Sequence, residues 1–142
     1  MQAKEMMTRL VECISPEMSL RDMARVMKTL DIGFLPVCDN DRLKGTVTDR
    51  DIVLRVIAAG KDPQDCKARD IMTPEVLWCY ENQSAEEIAD YMSRKQVRRV
   101  LILDRNKRLA GVISIGDLAK REELKAGEAI GFIAEAPTVR AA

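Results

Sequence analysis

The stretches Gly45-Thr46-Val47-Thr48-Asp49-Arg50-Asp51 and Gly111-Val112-Ile113-Ser114-Ile115-Gly116-Asp117 each set a hydroxyl residue three positions ahead of an aspartate, just after a run of β-type residues. Two chemistries fit that spacing. In one, Thr48 and Ser114 cap a helix with Asp51 and Asp117 in its first turn, and no ligand is involved. In the other, the same strand-to-helix turn offers backbone amides and a hydroxyl to phosphate or sugar oxygens. The aspartate then accepts from both hydroxyls of a ribose, as an acidic residue does in dinucleotide folds.

The elements that must position these turns come twice. Shifted by 65 residues, Met7-Thr8 falls on Met72-Thr73, Val11 on Val76, Ser19 on Ser84, Asp22 on Glu87, Ala24 on Ala89, Met27 on Met92 and Asp39 on Asp104. One added residue moves the offset to 66, after which Arg42 falls on Arg108, Gly45 on Gly111, Thr48 on Ser114 and Asp51 on Asp117. Such self-similarity decides the fold before any single element does. Each copy reads strand, helix, strand, strand, helix. In the first, Val11 to Ile14 is a short strand, and Ser19 with Asp22 opens a helix whose apolar stripe is Leu20, Met23, Met27 and Leu30. Phe34 to Cys38 and Leu43 to Val47 form a hairpin across Asp39-Asn40-Asp41-Arg42. A helix with Ile52, Val53, Val56 and Ile57 apolar follows and ends at Gly60. The second copy has a strand at Val76 to Cys79, a helix from Ser84 to about Arg94, a hairpin through Asp104 to Arg108, and a helix from Asp117 to about Leu124. The expected division is therefore repeat 1 at 1–60, a linker at 61–70, repeat 2 at 71–125 and a tail at 126–142 that docks on a partner subunit or stays disordered. A unit of about 60 residues is marginal alone, so the copies should pack together, with clefts between them and a homodimer of the whole chain.

Composition removes other functions. With 142 residues the chain is too short for a barrel enzyme of about 250 residues. No histidine is present, which removes Ser-His and Cys-His nucleophile pairs and histidine-containing zinc sites. Without it an enzyme would need a carboxylate, cysteine or lysine constellation, and none is found, so no catalytic residue and no metal site is assigned. Twenty-three basic residues balance twenty-three acidic ones, which argues against a nucleic-acid partner. Cys13, Cys38, Cys66 and Cys79 are far apart with no C-x-x-C pair, so no disulfide framework is expected. Cys13, Cys38 and Cys79 read as small hydrophobes in strands, and Cys66 as the one thiol open to surface oxidation. No apolar run reaches the 18 or so residues of a membrane helix, and MQAKEMMTRL has no signal-peptide core, so the expected location is the cytoplasm and no membrane partner is expected.

The unit of Met-Thr, Ser-Pro with a Ser-capped helix, Gly33-Phe34-Leu35-Pro36-Val37-Cys38-Asp39, and Gly45-Thr46-Val47-Thr48-Asp49-Arg50-Asp51-Ile52 resembles the CBS domain of cystathionine β-synthase. The tandem resembles a stand-alone Bateman module of the bacterial or archaeal type, over about residues 6–122. The resemblance implies a mixed α/β (α+β) fold: two β-α-β-β-α repeats packed with pseudo-twofold symmetry, often dimerised into a disk. It implies no catalysis of its own, and an adenosine ligand (AMP, ADP, ATP or S-adenosylmethionine) bound in inter-repeat clefts as a metabolite signal. Ribose contacts carry over onto Asp51 and Asp117, with Thr48 and Ser114 as the accompanying hydroxyls. Arg50 stands where a cation can approach a phosphate and Gly116 does not, so the two clefts should differ. Arg98 and Arg99 occupy the basic region ahead of the second hairpin, where they either hold phosphate bidentately or stand solvated. Gly33 and Phe34 leave that region uncharged in the first copy. Leu101 replaces the proline that Pro36 supplies. Trp78 and Cys13 take matching places near the base pocket, and Trp78 either stacks on an adenine, fills the pocket, or closes a core.

The expected function is a regulatory module that senses an adenosine ligand and passes its occupancy to an unidentified protein partner as a conformational change. The alternative is a degenerate pair with filled clefts that serves only as a dimerising platform, favoured by Trp78, Gly116 and the uncharged Gly33 and Phe34.

Overall fold

The computed structural model describes residues 1–9, 12–121 and 123–135. It is a mixed α/β chain that divides into two compact units, and the division does not follow chain order. Residues 12–76 form one, the mid-chain unit; the described N-terminal residues 1–9 and the described residues between 77 and 135 form the other, the split unit.

The split unit begins with helix α1 (Ala3–Met6) and strand β1 (Thr8–Arg9). The Ala3 and Lys4 amides donate to the carbonyls of Gln83 and Glu81 at 2.8 and 2.9 Å, which fastens the N-terminal stretch to residues of the second repeat.

In the mid-chain unit, α2 (Leu20–Leu30) starts at Ser19, whose hydroxyl accepts from the Asp22 amide, and ends at Asp31 in the left-handed region at φ 53°. Its buried face is Leu20, Met23 and Met27; Leu30, expected in the same stripe, lies in the last turn beside that cap and is exposed. Strands β2 (Phe34–Asp39) and β3 (Arg42–Thr48) pair antiparallel across Asn40 and Asp41, both at positive φ, the conformation a two-residue hairpin turn needs. Helix α3 (Asp49–Ile52) runs into a π-helical turn at Val53–Ile57, of which Val56 is buried while Val53 and Ile57, also expected on an apolar face, are exposed. The stretch expected as a linker is structured: a 3-10 turn at Pro63–Asp65 leads to α4 (Ala68–Ile71), and Cys66, Ala68 and Ile71 join the core of Ile14, Met23, Leu35, Val37 and Val47. The burial of Cys66 overturns its reading as a surface thiol.

The split unit continues with β4 (Trp78–Tyr80), α5 (Ala85–Lys95), β5 (Arg99–Leu103), β6 (Leu109–Ser114), α6 (Ile115–Ala119) and α7 (Glu123–Ala134). Its sheet order is β1-β6-β5-β4, with β4 parallel to β5 and the other pairs antiparallel. The extra residue in the second hairpin is absorbed at Asp104, whose carboxyl accepts from the Asn106 and Arg108 amides, with Lys107 at φ 61°. Its core is Ile88, Met92, Ile102, Ile113 and Leu118. Each such side chain contributes about 1.5–3 kcal/mol on leaving water. The expected tail is in part helix: α7 packs on α5 and α6 through Ala126 and Ala129, and residues 136–142 lie outside the described residues.

Two departures have clear physical causes. The first strand of the first copy shrinks to a single parallel bridge, Ile14 to Val37, with Val11 outside the described residues. In the second copy the Leu101 amide donates to Leu77 O at 3.1 Å and extends the pairing. Pro36 stands in the matching place and has no N–H to give. The second departure is Cys13 and Cys38, which form a disulfide across 25 residues of chain, contrary to the expectation of unpaired thiols. The Ile14 amide donates to Pro36 O and the Cys38 amide to Ile14 O, both at 2.9 Å, and this brings the two cysteine Cα atoms to 5.8 Å.

Candidate functional site

Each unit ends a strand in one of the two hydroxyl-aspartate turns. Gly45 and Gly111 hold the strands that carry them: a Cβ at either would stand 2.6 Å from a backbone oxygen, that of Thr73 or Thr8. Only glycine lets those neighbouring segments approach so closely.

In the mid-chain unit, Thr48 caps α3. Its Oγ1 accepts from the Asp51 amide at 3.0 Å, and Asp51 Oδ2 accepts from the Thr48 amide at 2.9 Å. The capping reading is therefore correct as far as it goes, but it accounts for only one oxygen of the carboxyl. Asp51 is 1% exposed, and its Oδ1 has no hydrogen-bond partner. The nearest cation is Arg55 Nε at 3.7 Å, and the Arg55 guanidinium is itself engaged through Nη1 with the carbonyls of Ile71 and Met72 at 3.0 and 3.2 Å. A buried acceptor without a donor costs about 1–3 kcal/mol, a cost only partly offset by the Arg55 charge at 3.7 Å. The Thr48 hydroxyl donates to no acceptor among the described residues, so the turn holds an unspent donor as well as an unspent acceptor.

The split-unit turn is spent differently. Asp117 Oδ2 accepts from both the amide and the hydroxyl of Ser114, at 2.9 and 3.0 Å, while Ser114 Oγ accepts from the Asp117 amide at 3.2 Å. Both turns carry the full capping box, and Asp117 differs in being half-buried and in accepting from the Ser114 hydroxyl as well. What this turn has instead is charge. Arg99 lies opposite Ser114 in the β5–β6 ladder, and the Arg98 carbonyl accepts from the Ile115 amide at 2.8 Å. Both arginines are exposed at that end of the sheet. In the mid-chain unit the matching corner is Gly33, whose carbonyl accepts from the Asp49 amide at 3.0 Å; a Cβ on Gly33 would lie 3.0 Å from the Asp49 carboxyl. An acid therefore sits where the other unit has arginine, and exposed Arg50 follows it directly.

The remaining predicted residues lie further along the strands. Pro36 is buried opposite Thr46 in the hairpin. Cys13 is exposed and tied to Cys38. Trp78 is half-buried in β4 beside Leu101, edge-on to Tyr80 with ring centroids 4.9 Å apart. Cys79 is buried as expected, and loss of water pushes its thiol pKa up to about 11, with Glu87 adding to the rise and Arg94 opposing it. Arg55 is the residue that sequence reasoning missed. Its signal was present: an arginine follows the aspartate by four positions in both copies, as Arg55 after Asp51 and Arg121 after Asp117.

A family model of the CBS domain matches residues 3–58 and 68–123, and the chain belongs to the CBS domain family, carrying two copies of the domain. Among its relatives is the CBS domain-containing protein YhcV of Bacillus subtilis, 38% identical over 116 residues, covering 82% of this chain and 81% of that one. Hypoxic response protein 1 of Mycobacterium tuberculosis is 37% identical over 119 residues, covering 83% and 82%. A crystal structure of Hypoxic Response Protein I with two coordinated zinc ions superposes with a TM-score of 0.74 at 36% identity over 84% of this chain and 98% of that one. CBSX2 in complex with AMP shares the fold at a TM-score of 0.71 and 21% identity, over 87% and 96%.

Proposed function

We propose that the chain is a regulatory, non-catalytic CBS pair that binds an adenosine ligand: AMP, ADP, ATP or S-adenosylmethionine. The single observation that carries this reading is Asp51, a buried carboxyl with one oxygen unpartnered beside an unspent Thr48 hydroxyl. A ribose diol supplies the donors that Asp51 lacks and an acceptor for the Thr48 hydroxyl. The Ser114-Asp117 turn, whose hydroxyl already donates to Asp117 Oδ2, offers less to a sugar and more to a phosphate, through Arg98 and Arg99. That the same fold carries AMP in CBSX2 supports the ligand class.

Signalling requires the ligand to favour one of two states of the pair over the other. The proposed assembly is a homodimer. Val53, Leu54 and Ile57 are 54, 41 and 61% exposed within six residues of Asp51, and apolar side chains grouped on a surface are what a second copy would cover. The proposed location is the cytoplasm, where the exposed Cys13 leaves its disulfide open to reduction.

Calorimetric titration of ligand-free protein with the four ligands tests the reading. Saturable heat with at least one, with affinity weakened about 10- to 150-fold by Asp51→Ala, is expected. No heat with any of them overturns it in favour of a non-binding dimerising platform.

A further inference from the structure

In the mid-chain unit Glu17 reaches two cations of the segment carrying α4. Its carboxyl oxygens lie 3.1 Å from Lys67 Nζ and 2.6 Å from Arg69 Nη1. The hydrogen bond from Lys67, aided by the charges of Arg69 and Lys67, holds the Glu17 pKa below the usual value against an opposing loss of water. This place has a counterpart in the split unit, fixed by matching backbone bonds. Ala68 and Arg69 amides donate to the carbonyls of Met18 and Pro16, as the Ala3 and Lys4 amides donate to those of Gln83 and Glu81. Lys4 thus stands for Arg69, and Asn82 for Glu17.

The substitution of asparagine for glutamate leaves the second place without its internal anion. A cleft of about 340 Å3 opens there, lined by Lys4, Tyr80, Glu81, Asn82 and Arg105. The Lys4 and Arg105 side chains have no carboxylate partner among the described residues, and the Asn82 amide and Tyr80 hydroxyl are uncommitted. Two cations against the single Glu81 leave a surplus of one positive charge. The cleft lies where β4 leads into α5, whereas the Ser114-Asp117 turn lies where β6 leads into α6.

We propose that this cleft binds the carboxylate of a small organic acid, with Lys4 and Arg105 pairing the charge and Asn82 and Tyr80 donating hydrogen bonds. In the mid-chain unit the matching place is filled by Glu17, held by Arg69 in the position of Lys4 and by Lys67 in that of neutral Gln2; in the cleft Arg105 supplies the second cation instead. A carboxylate held between two cations makes charge-assisted bonds that are stronger than neutral ones. The proposal is independent of the adenosine reading, because it uses none of its residues.

The test is an amide NMR titration of the full chain with acetate and with succinate, at constant ionic strength and with chloride as the control anion. Saturable shifts at Lys4, Asn82 and Arg105 are expected with the carboxylates and not with chloride. Asn82→Glu, which restores the internal anion, should weaken binding by about tenfold or more, and Lys4→Ala with Arg105→Ala should abolish it. These side chains are exposed or half-buried, so the variants remain folded, which the spectra themselves report. Asp51→Ala should leave the carboxylate shifts unchanged. Shifts that never saturate, equal shifts with chloride, or undiminished binding in Asn82→Glu would overturn the proposal.

Discussion

Replacing Asp51 with alanine separates a helix cap from a ligand contact, because the two roles change different quantities. In the free protein the substitution removes the acceptor of the Thr48 amide, at a cost of about 1 kcal/mol, and also removes a buried carboxyl oxygen whose missing partner costs about 1–3 kcal/mol. The substitution also removes the partner of Arg55, whose Nε lies 3.7 Å from that oxygen, so the stability of the free protein should fall modestly. In the complex the same oxygen accepts from a ribose hydroxyl, a bond to a charged group worth about 1.5–3 kcal/mol. That corresponds to about 10- to 150-fold in affinity. The assay is calorimetric titration with AMP and 2′-deoxy-AMP in an Asp117→Ala background, which leaves one turn to read. With Asp51 present, AMP should bind about 10- to 150-fold more tightly than its deoxy analogue, and once Asp51→Ala is added the preference should vanish. The same preference in both proteins would refute the assignment of Asp51 to the ribose.

Other expectations follow from single features of the units. Reducing Cys13–Cys38 opens a loop of 25 residues and should lower stability by about 3 kcal/mol, read as an earlier urea midpoint with dithiothreitol; an unchanged midpoint would show that the bond contributes nothing. Gly111→Ala puts a methyl 2.6 Å from Thr8 O and should destabilise by about 1–3 kcal/mol in the same assay, whereas Gly116→Ala, with nothing nearer than 3.5 Å, should not. Glu17 titrates below its ordinary 4.5 when folded, so its stabilising contribution is present above that value and is lost as pH falls through the lower folded one. Glu17→Gln should therefore flatten the acid side of a stability–pH curve, and an unaltered slope would remove Glu17 from that account.

The doubled pattern made most of the architecture legible. Ser19 and Ser84 cap their helices, both hairpins fall where the apolar runs place them, and Thr48 and Ser114 start the helices that follow. Local chemistry is what sequence reports best, and the misses all depend on non-local packing. Cys13 and Cys38 meet through a bridge between distant strands, which no spacing rule anticipates. Cys66 and Ala68 sit in a polar stretch by composition, yet they are buried because the stretch folds onto the first repeat. The unlike states of the two turns were also hidden: both copies read hydroxyl-x-x-Asp, and only the folded chain reveals that the Ser114 hydroxyl is spent on Asp117 Oδ2 and that Asp51, unlike half-buried Asp117, has its other oxygen buried.

The central claim is that the Thr48-Asp51 turn is a ribose site, and the most direct measurement is an amide NMR titration of ligand-free protein with AMP. Saturable shifts centred on Thr48 to Asp51, with affinity weakened about 10- to 150-fold in Asp51→Ala, are the expected result. A titration in which those amides stay in place at saturating AMP, ADP, ATP and S-adenosylmethionine would contradict it.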